Sequence, residues 1–233
     1  MKTILTIFVF ITLQTTALFS TNISILQYQD IKVTHKYEDK SKNIIIQRKQ
    51  DPKCLELGIN YDTVFSGDMA NKEVPSQCKK TFITTLGTIQ PIQMLDIKTV
   101  AELEVLDLIK KSISKPNNYV LIDSRRSNWY ENSTIPTAVN LPYNTISYDE
   151  DFPEDFQKVL DTLNIKKTQD GQFDFSQAKE AILFCNGNWC VQSQRAIKEL
   201  LSIGYPKKKL MWYRGGLQDW YILGFSTIRG DLK

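Results

Sequence analysis

Two cysteines near each other in the C-terminal half are the residues best suited to chemistry. They stand in the stretch ILFCNGNWCVQS, where an apolar run ends at Cys185 and Cys190 follows soon after. A cysteine thiolate attacks sulfur compounds and disulfides, so the pair is compatible with sulfur transfer, with thiol–disulfide exchange or with no chemistry at all. The chain's single histidine, His35, lies in a polar stretch and is predicted to be exposed. The sequence therefore offers neither a neighbouring Cys–His pair nor a His-rich metal site.

The first twenty residues, MKTILTIFVFITLQTTALFS, have the layout of a secretory signal peptide. Lys2 precedes an apolar core, and polar and small residues follow that core. The core is shorter than the roughly 20 apolar residues that a membrane-spanning helix needs, and no second stretch approaches this length. Residues 1–20 are therefore predicted to be removed, and an uncleaved N-terminal anchor is the alternative. The mature chain is expected to be exported, into a bacterial periplasm, with no membrane association beyond the signal peptide.

Residues 21–87 are predicted to form a small irregular region with a disulfide of its own. Export places the chain in an oxidising compartment, where cysteines usually pair. Cys54 and Cys78 would close one loop in this region, while Cys185 and Cys190 form the second natural pair. The formal net charge is only +3 and charges of both signs are interspersed, which gives no reason to expect nucleic-acid binding. No cofactor and no metal site are expected.

From residue 88 onward, segments with strand and helix patterns alternate, which predicts an α/β domain with a mainly parallel sheet flanked by helices. The predicted strands are TIQPIQML, NYVLID, TAVNLP, KEAILFC and KLMWYRGG. The predicted helices are KTVAELEVLDLIKKSI, DFPEDFQKVLDTLNI, SQRAIKELLSIGYP and LQDWYILG, and KKTQDGQF is predicted to be a loop. Within residues 21–87, NIIIQRK and KTFITTLG also have strand character.

Cys185 lies at a position where α/β sheets commonly bind ligands, beyond the carboxyl end of a predicted strand. A short loop containing Gly187 leads from it into the next helix. The backbone N–H groups of this loop and the positive end of the helix dipole would favour a thiolate, and they would also bind an anion such as a persulfide. The competing interpretation of Cys185 is a small buried side chain that merely ends a strand.

Four segments in this order resemble the rhodanese-like (sulfurtransferase) family: YVLIDSR, STIPTAVNLP, AILFCNGNWC and LMWYRGGLQDW with the following LGF. The resemblance covers residues 88–233 and implies a rhodanese-like α/β fold. It implies that Cys185 takes sulfur from a small sulfur-compound donor, carries it as a persulfide and passes it to a thiol or cyanide-like acceptor. Thr134 and Thr137 stand where the family commonly has His and Gly. The same resemblance implies a structural role for four residues: Asp123, Gly215, Gly216 and Trp220.

The residues of the loop are expected to contact the sulfur compound: Asn186, Gly187, Asn188, Trp189, Val191 and Gln192. The family usually carries an Arg or Lys in this loop to attract an anionic donor, and this chain does not. Arg125 and Arg195 are predicted to supply the cation from neighbouring elements, with Arg126 and Arg214 as alternatives. The loop also has more residues than is usual in the family, so the donor need not be thiosulfate.

Cys190 admits three roles. It could attack a persulfide on Cys185 and release sulfide, which would leave a disulfide within the loop. It could hold Cys185 in a resting disulfide that a thiol reductase partner opens, or it could be a bystander. The catalytic pair Cys185 and Cys190 therefore points first to a sulfurtransferase. The alternatives are a thiol–disulfide redox protein on the same fold and a non-catalytic rhodanese-like binding module.

Overall fold

The computed structural model describes residues 30–47 and 89–232. Along these ranges the helices and strands are β1 (Ile31–Tyr37), β2 (Lys40–Ile46), β3 (Lys98–Val100), α1 (Glu102–Ser114), β4 (Tyr119–Asp123), α2 (Ser127–Asn132), β5 (Val139–Asn140), α3 (Pro153–Leu163), β6 (Lys166–Lys167), β7 (Phe173–Asp174), β8 (Glu180–Phe184), α4 (Gln192–Ser202), β9 (Leu210–Tyr213) and α5 (Gly216–Ile222). Apart from the short pair β6 and β7, strands and helices alternate from β3 onward, which is the order that a parallel sheet requires.

Five of the strands form one parallel sheet in the order β3-β9-β8-β4-β5. Its central strands are nearly continuous apolar runs because both faces of the sheet are covered. In β8, Ile182 and Phe184 belong to one buried layer while Ala181 and Leu183 belong to the other. The predicted fold class, a mainly parallel sheet flanked by helices, is confirmed.

The helices divide between the two faces of the sheet. On one face, α3 and α4 pack through buried side chains such as Leu160 and Ile197. On the other face, α1 and α5 pack through side chains such as Ile109 and Trp220. Because all five strands run in the same direction, the segments that follow β4, β8 and β9 meet at one edge of the sheet, where ligands of α/β proteins commonly bind.

Several predicted elements differ from the structure. TIQPIQML is not a strand where it is described, since residues 89–93 have no regular secondary structure. Ile89 and Ile92 are exposed there, and Pro91 has no N–H to donate to a sheet. TAVNLP is reduced to the two residues of β5, and KKTQDGQF, predicted to be a loop, contains the short antiparallel pair β6–β7. The helix α2 is not among the predicted elements.

β1 and β2 form an antiparallel hairpin that packs on the α1 face of the sheet. Ile31, Val33 and Ile46 belong to the same buried cluster as the apolar residues of α1 and α5. The strand character predicted for NIIIQRK is thus confirmed as far as Ile46. Three predicted features lie outside the described residues: the signal peptide predicted for residues 1–20, the strand predicted for KTFITTLG, and the disulfide predicted between Cys54 and Cys78. No helix in the described ranges is long and apolar enough to cross a membrane.

His35 is fully buried on the inward side of β1, so the prediction that it is exposed is wrong. The pattern of burial along the strand alternates, and it puts His35 in one row with Ile31 and Val33. The polar residues between them face outward and gave the stretch its misleading polar appearance. The period of two along β1, rather than the local composition, decides where this side chain lies.

The contacts of His35 fasten the hairpin to the turn before β5. The backbone N–H of Thr137 donates to its Nδ1 (3.2 Å), so the neutral ring carries its proton on Nε2, which lies 3.2 Å from the Tyr130 hydroxyl. That hydroxyl donates in turn to the carbonyl oxygen of Ala138 (3.2 Å). Thr137 has a φ of 75°, a conformation that β-branched residues seldom adopt. The bond to His35 helps to hold it there, at a position where the family commonly has Gly.

Burial lowers the pKa of His35 below its ordinary value of about 6.5, and outweighs a hydrogen bond to the Gly230 backbone that raises it. The unfolded chain therefore binds this proton more tightly than the folded chain. We expect the free energy of unfolding to fall as the pH drops below about 6.5, and to show no contribution from His35 above it. The variant His35→Gln should lose this dependence. Urea denaturation of both proteins between about pH 5.5 and 7.5 measures it; equal slopes in the two proteins would exclude His35 as the responsible group.

Candidate active site

A buried ion pair between Asp123 and Arg125 organises the carboxyl edge of the sheet. Asp123 ends β4, and the relative exposures of the two residues are 0% and 2%. Nη2 of Arg125 lies 2.6 Å from Oδ2 of Asp123, and Nε lies 2.9 Å from Oδ1. The Arg125 backbone N–H donates to Oδ1 as well, and the Thr134 hydroxyl donates to Oδ2 at 2.8 Å. All of these contacts are with groups of the protein itself, and the structural role of Asp123 stays a prediction.

Arg125, predicted to bind substrate, directs its donors to the protein itself. Besides the bonds to Asp123, Nη2 donates to the carbonyl oxygen of Ser133, and Nη1 lies 3.3 Å from Oδ1 of Asn186. The guanidinium charge is balanced by the carboxylate, and the group links the end of β4 to the turn after α2 and to the cysteine loop. Arg125 therefore holds these segments together, and its positive charge is already balanced by Asp123 before an anionic donor binds.

Cys185 directly follows β8, and its Sγ is joined to Sγ of Cys190 in a disulfide. The two Cα atoms are 6.1 Å apart, which is within the usual range for disulfides. The relative exposures of the two residues are 1% and 5%. A sulfur that is engaged in a disulfide cannot also carry an outer sulfur atom. The pair must therefore be reduced before Cys185 can form a persulfide.

The N-terminus of α5 holds the cysteine loop, which we define as residues 185–191. The backbone N–H groups of Leu217 and Gln218 donate to the carbonyl oxygens of Cys185 (3.0 Å) and Asn186 (2.8 Å). Gly216 permits this close approach, because an added Cβ would clash with the carbonyl oxygen of Cys185 and with the backbone of the next two residues. Gly216 also has a φ of 61°, which favours glycine.

The other two residues with a predicted structural role support α5. A Cβ at Gly215 would clash with the side chain of Asp219. Trp220 is fully buried, its ring centre lies 4.6 Å from that of Phe225, and its Nε1 donates to the Ser226 carbonyl oxygen at 2.8 Å. The GG-x-x-x-W segment thus positions α5 so that the backbone N–H groups of its first turn can hydrogen-bond to the cysteine loop.

A segment before β3 crosses the same loop. The backbone N–H of Gln90 donates to the carbonyl oxygen of Asn188 (2.8 Å). Nε and Nη2 of Arg214 both donate to the Gln90 carbonyl oxygen, at 2.9 and 2.7 Å. Within the loop, Nε1 of Trp189 donates to Oε1 of Gln218 at 2.9 Å. Arg214, an alternative source of the missing cation, therefore serves to fix the Gln90 segment against the loop.

The predicted contacts at the start of α4 lie beside the disulfide. The amide oxygen of Gln192 is 3.6 Å from Sγ of Cys185. A half-turn of this amide would present its NH₂ group to a thiolate, since the two ends of a glutamine amide are interchangeable in shape. Val191 is the N-cap residue of α4 and is exposed, and Gly187 lies against the Gln218 side chain.

Arg195, the second predicted cation, donates its backbone N–H to the carbonyl oxygen of Val191 in the cysteine loop (3.0 Å), while its guanidinium lies at Tyr143. Its guanidinium lies 5.8 Å from the ring centre of Tyr143, and the side chain is exposed. Arg126 approaches the hydroxyl of the same tyrosine, with Nη2 at 3.5 Å. The structure therefore brings the cysteine loop, Arg125 and the GG-x-x-x-W segment together, but it leaves Arg195 with Arg126 at Tyr143.

A pocket of about 860 Å³ adjoins the cysteine loop. Trp189 of the loop, Trp129 of α2, and Leu217, Tyr221 and Ile222 of α5 supply its apolar walls. The wall from α2 was missed in the sequence because a helix of six residues spans too few turns to show periodicity. No group of three or more His, Cys, Asp or Glu residues in the described part of the chain could hold a metal ion.

The contact between Gly216 and the loop is testable with a matched pair of glycine variants. We expect Gly216→Ala to lower the free energy of unfolding by about 1–3 kcal/mol through overpacking, in addition to the cost of a positive φ. It should also accelerate reduction of the Cys185–Cys190 disulfide by dithiothreitol, since the loop is displaced. Gly171→Ala is the control, because Gly171 has a φ of 82° but nothing near its Cβ position. Equal effects of the two substitutions would show that Gly216 does not support the loop.

The comparisons with known proteins agree with this architecture. The rhodanese-like domain model matches residues 105–223, slightly more than half of the chain. No curated protein matches at a significant level.

Among solved structures, a protein from Bacillus halodurans is similar at 21% identity and a TM-score of 0.39, over 68% of this chain and 88% of that one. A rhodanese from E. coli, solved with anions, has 19% identity and a TM-score of 0.31, over 48% and 98% of the two chains. A thiosulfate sulfurtransferase from Pseudomonas aeruginosa has 18% identity and a TM-score of 0.37, over 57% and 20%. The family match, on a parallel sheet with a cysteine at the end of its central strand, shows that this chain belongs to the rhodanese-like domain family.

Proposed function

We propose that this protein is a sulfurtransferase in which Cys185 accepts sulfur as a persulfide and Cys190 acts after it. The observation that carries the proposal is the position of Cys185. It stands at the carboxyl end of the central strand β8 of a rhodanese-like domain, in a loop that α5 grips through two hydrogen bonds. Helix α4 begins just beyond the loop, at Gln192, and its positive end favours a thiolate and an anionic persulfide.

The first step starts from the reduced pair. The Cys185 thiolate attacks the outer sulfur of the donor, and an Sγ–S bond forms as the bond between that sulfur and the rest of the donor breaks. The electron pair leaves with the remainder of the donor, which is sulfite when the donor is thiosulfate. A thiol or cyanide-like acceptor can then attack the outer sulfur and restore the Cys185 thiolate.

Cys190 supplies a second way to complete the cycle, which the disulfide of the structure supports. Its thiolate attacks Sγ of the Cys185 persulfide, the Cys185–Cys190 bond forms, and the outer sulfur leaves as hydrosulfide. The disulfide must afterwards be reduced with two electrons and two protons. We propose a thiol reductase as the partner that supplies them, because the oxidising compartment proposed for this protein would not by itself keep the pair reduced.

Thiol–disulfide exchange is the second candidate function, and two observations favour it. Cys185 and Cys190 are bonded to each other, and Arg125, the cation that lines the adjoining pocket, is neutralised by Asp123. In that case the reduced pair would pass two electrons to a substrate disulfide, a reductase would restore the pair to its dithiol form, and no persulfide would form. A rhodanese-like binding module without catalysis is the third candidate, and none of the contacts around the cysteines specifically favours it.

The setting of this activity is also a proposal. We propose that residues 1–20 form a signal peptide, that residues 88–233 form the rhodanese-like domain, and that the mature protein acts in a bacterial periplasm. Residues 21–87 precede the domain in this division, although their described part, the β1–β2 hairpin, shares the buried cluster of α1 and α5. An oxidising compartment would account for the need for a reductase that reopens the loop.

Mass spectrometry of the mature protein and two single variants tests the order of the cysteines. Each protein is reduced, freed of reductant, and incubated with thiosulfate or, in parallel, with methanethiosulfonate. We expect Cys190→Ser to gain one sulfur atom on Cys185, because no resolving thiol is left to expel it. We expect Cys185→Ser to gain none on Cys190. Peptide mapping locates the added sulfur.

The other outcomes decide between the candidates. Sulfur on Cys190 in the Cys185→Ser variant, with none on Cys185 in the Cys190→Ser variant, would reverse the assigned roles. If neither donor adds sulfur to any protein, while the unmodified chain exchanges its disulfide with dithiols, the redox function replaces the sulfurtransferase.

A further inference from the structure

The pocket beside the cysteine loop is much larger than an inorganic sulfur anion requires. Its volume of about 860 Å³ is in the range that accommodates organic ligands of drug size. It opens between α2, the cysteine loop and α5, and it touches the loop at Asn186 and Trp189. A molecule seated in it would contact Asn186, which follows Cys185, and Trp189, which precedes Cys190, although neither cysteine is among the residues that line the pocket.

The walls of this pocket are apolar and aromatic. Trp129, Tyr221 and Ile222 line it and are about half exposed, with relative exposures of 48%, 51% and 58%. Leu217 and Trp189 continue the apolar surface toward the loop. An exposed cluster of this kind, concave and next to a reactive group, is typical of a site that buries the hydrocarbon part of a ligand.

Within the described parts of the chain, the pocket provides no charge that is not already balanced. Arg125 is the one ionised residue among those that line it, and Asp123 neutralises that guanidinium at 2.6 Å. Arg195 and Arg126 lie at Tyr143, which is not part of the lining. The polar groups that remain in the walls are neutral amides and hydroxyls, such as those of Asn128 and Gln218.

Hydrogen bonds hold the walls in place without a ligand. Trp189 donates to Gln218, which fixes the loop against α5. The hydroxyl groups of Ser133 and Tyr221 form a hydrogen bond, which holds the turn after α2 against α5. Arg125 contacts both the Ser133 carbonyl oxygen and Asn186, so the buried ion pair supports both sides. The site is therefore built in advance, which lowers the cost of binding.

We infer that the sulfur donor of this enzyme carries an aromatic or branched hydrocarbon body, which occupies this pocket while its terminal sulfur meets Cys185. This inference rests on the proposed function and names the substrate class of the same site. Such a preference would differ from that of enzymes that select the small dianion thiosulfate. Contact with the aromatic walls favours binding of a hydrocarbon group, and Arg125, whose charge is balanced by Asp123, attracts a second negative charge only weakly.

Two thiosulfonates of equal charge and equal reactive group isolate this preference. Benzenethiosulfonate and methanethiosulfonate both transfer their terminal sulfur to Cys185 as the bond from that sulfur to the sulfonyl sulfur breaks, and benzenesulfinate or methanesulfinate leaves with the electron pair. They differ in the group on the sulfonyl sulfur, which is phenyl in one and methyl in the other. We expect the reduced wild-type protein to show a kcat/KM for the benzene donor at least tenfold above that for the methane donor.

Two aromatic variants then place the preference in the pocket. Trp129→Ala should reduce the ratio of the two kcat/KM values at least fivefold, because it removes one wall of the pocket. Phe152→Ala is the matched control, since Phe152 is exposed to a similar degree, 56%, but does not line the pocket, and it should keep the wild-type ratio. A wild-type ratio near one, or a ratio that Trp129→Ala leaves unchanged, would overturn the inference.

A binding measurement separates failure of the inference from failure of the proposed function. If neither donor adds sulfur to Cys185, the sulfurtransferase proposal is overturned, and titration calorimetry with the two sulfinates still tests the pocket. Tighter binding of benzenesulfinate than of methanesulfinate, lost in Trp129→Ala and kept in Phe152→Ala, would support an aromatic ligand. Equal binding of the two sulfinates would overturn it.

Discussion

The buried ion pair between Asp123 and Arg125 is the contact on which the rest of the site depends. A charge without its partner is costly in a protein interior, and breaking such a pair typically costs about 3–5 kcal/mol. Here the carboxylate accepts three kinds of donor: the guanidinium, the Arg125 backbone N–H and the Thr134 hydroxyl. The guanidinium in turn reaches the turn after α2 and the cysteine loop. One pair of charges therefore fixes the relative positions of three segments at the carboxyl edge of the sheet.

This arrangement has a consequence for the chemistry. The arginine that is best placed to attract an anion is used to hold the site together, and the neighbouring Arg214 holds the Gln90 segment. What remains for a substrate is an apolar pocket and a cysteine pair. The same loop that forms one wall of the pocket carries Cys185 at its start and Cys190 near its end, and it is fastened from two sides by α5 and the Gln90 segment. The proposed sulfur chemistry at Cys185 and the inferred recognition of a hydrocarbon body would therefore depend on the same loop.

Much of this could be predicted from the sequence, because the responsible signals are local. The apolar runs of β4, β8 and β9, the helix α4 with its glycine stop, and the family segments around Cys185 and Trp220 all lie within short stretches. The errors fall where a distant contact decides. His35 is buried because β1 packs against Tyr130 of α2 and the turn before β5, which a polar stretch does not reveal. The ion pair of Arg125 with Asp123 is also a feature that only the fold reveals, and a contact of Arg125 with the substrate stays a prediction. The wall from α2 has no periodicity of its own, and its position follows from the turn that Arg125 holds.

The central claim is that the two cysteines act in order, Cys185 as the acceptor of sulfur and Cys190 as the group that expels it. A single turnover of the reduced mature protein tests this most directly, with benzenethiosulfonate as the donor and with no added thiol. The amounts of hydrosulfide released and of Cys185–Cys190 disulfide formed are measured together. We expect one hydrosulfide to be released for each disulfide formed, and the two products to appear at the same rate. A persulfide that stays on Cys185 while Cys190 remains a free thiol would contradict this claim.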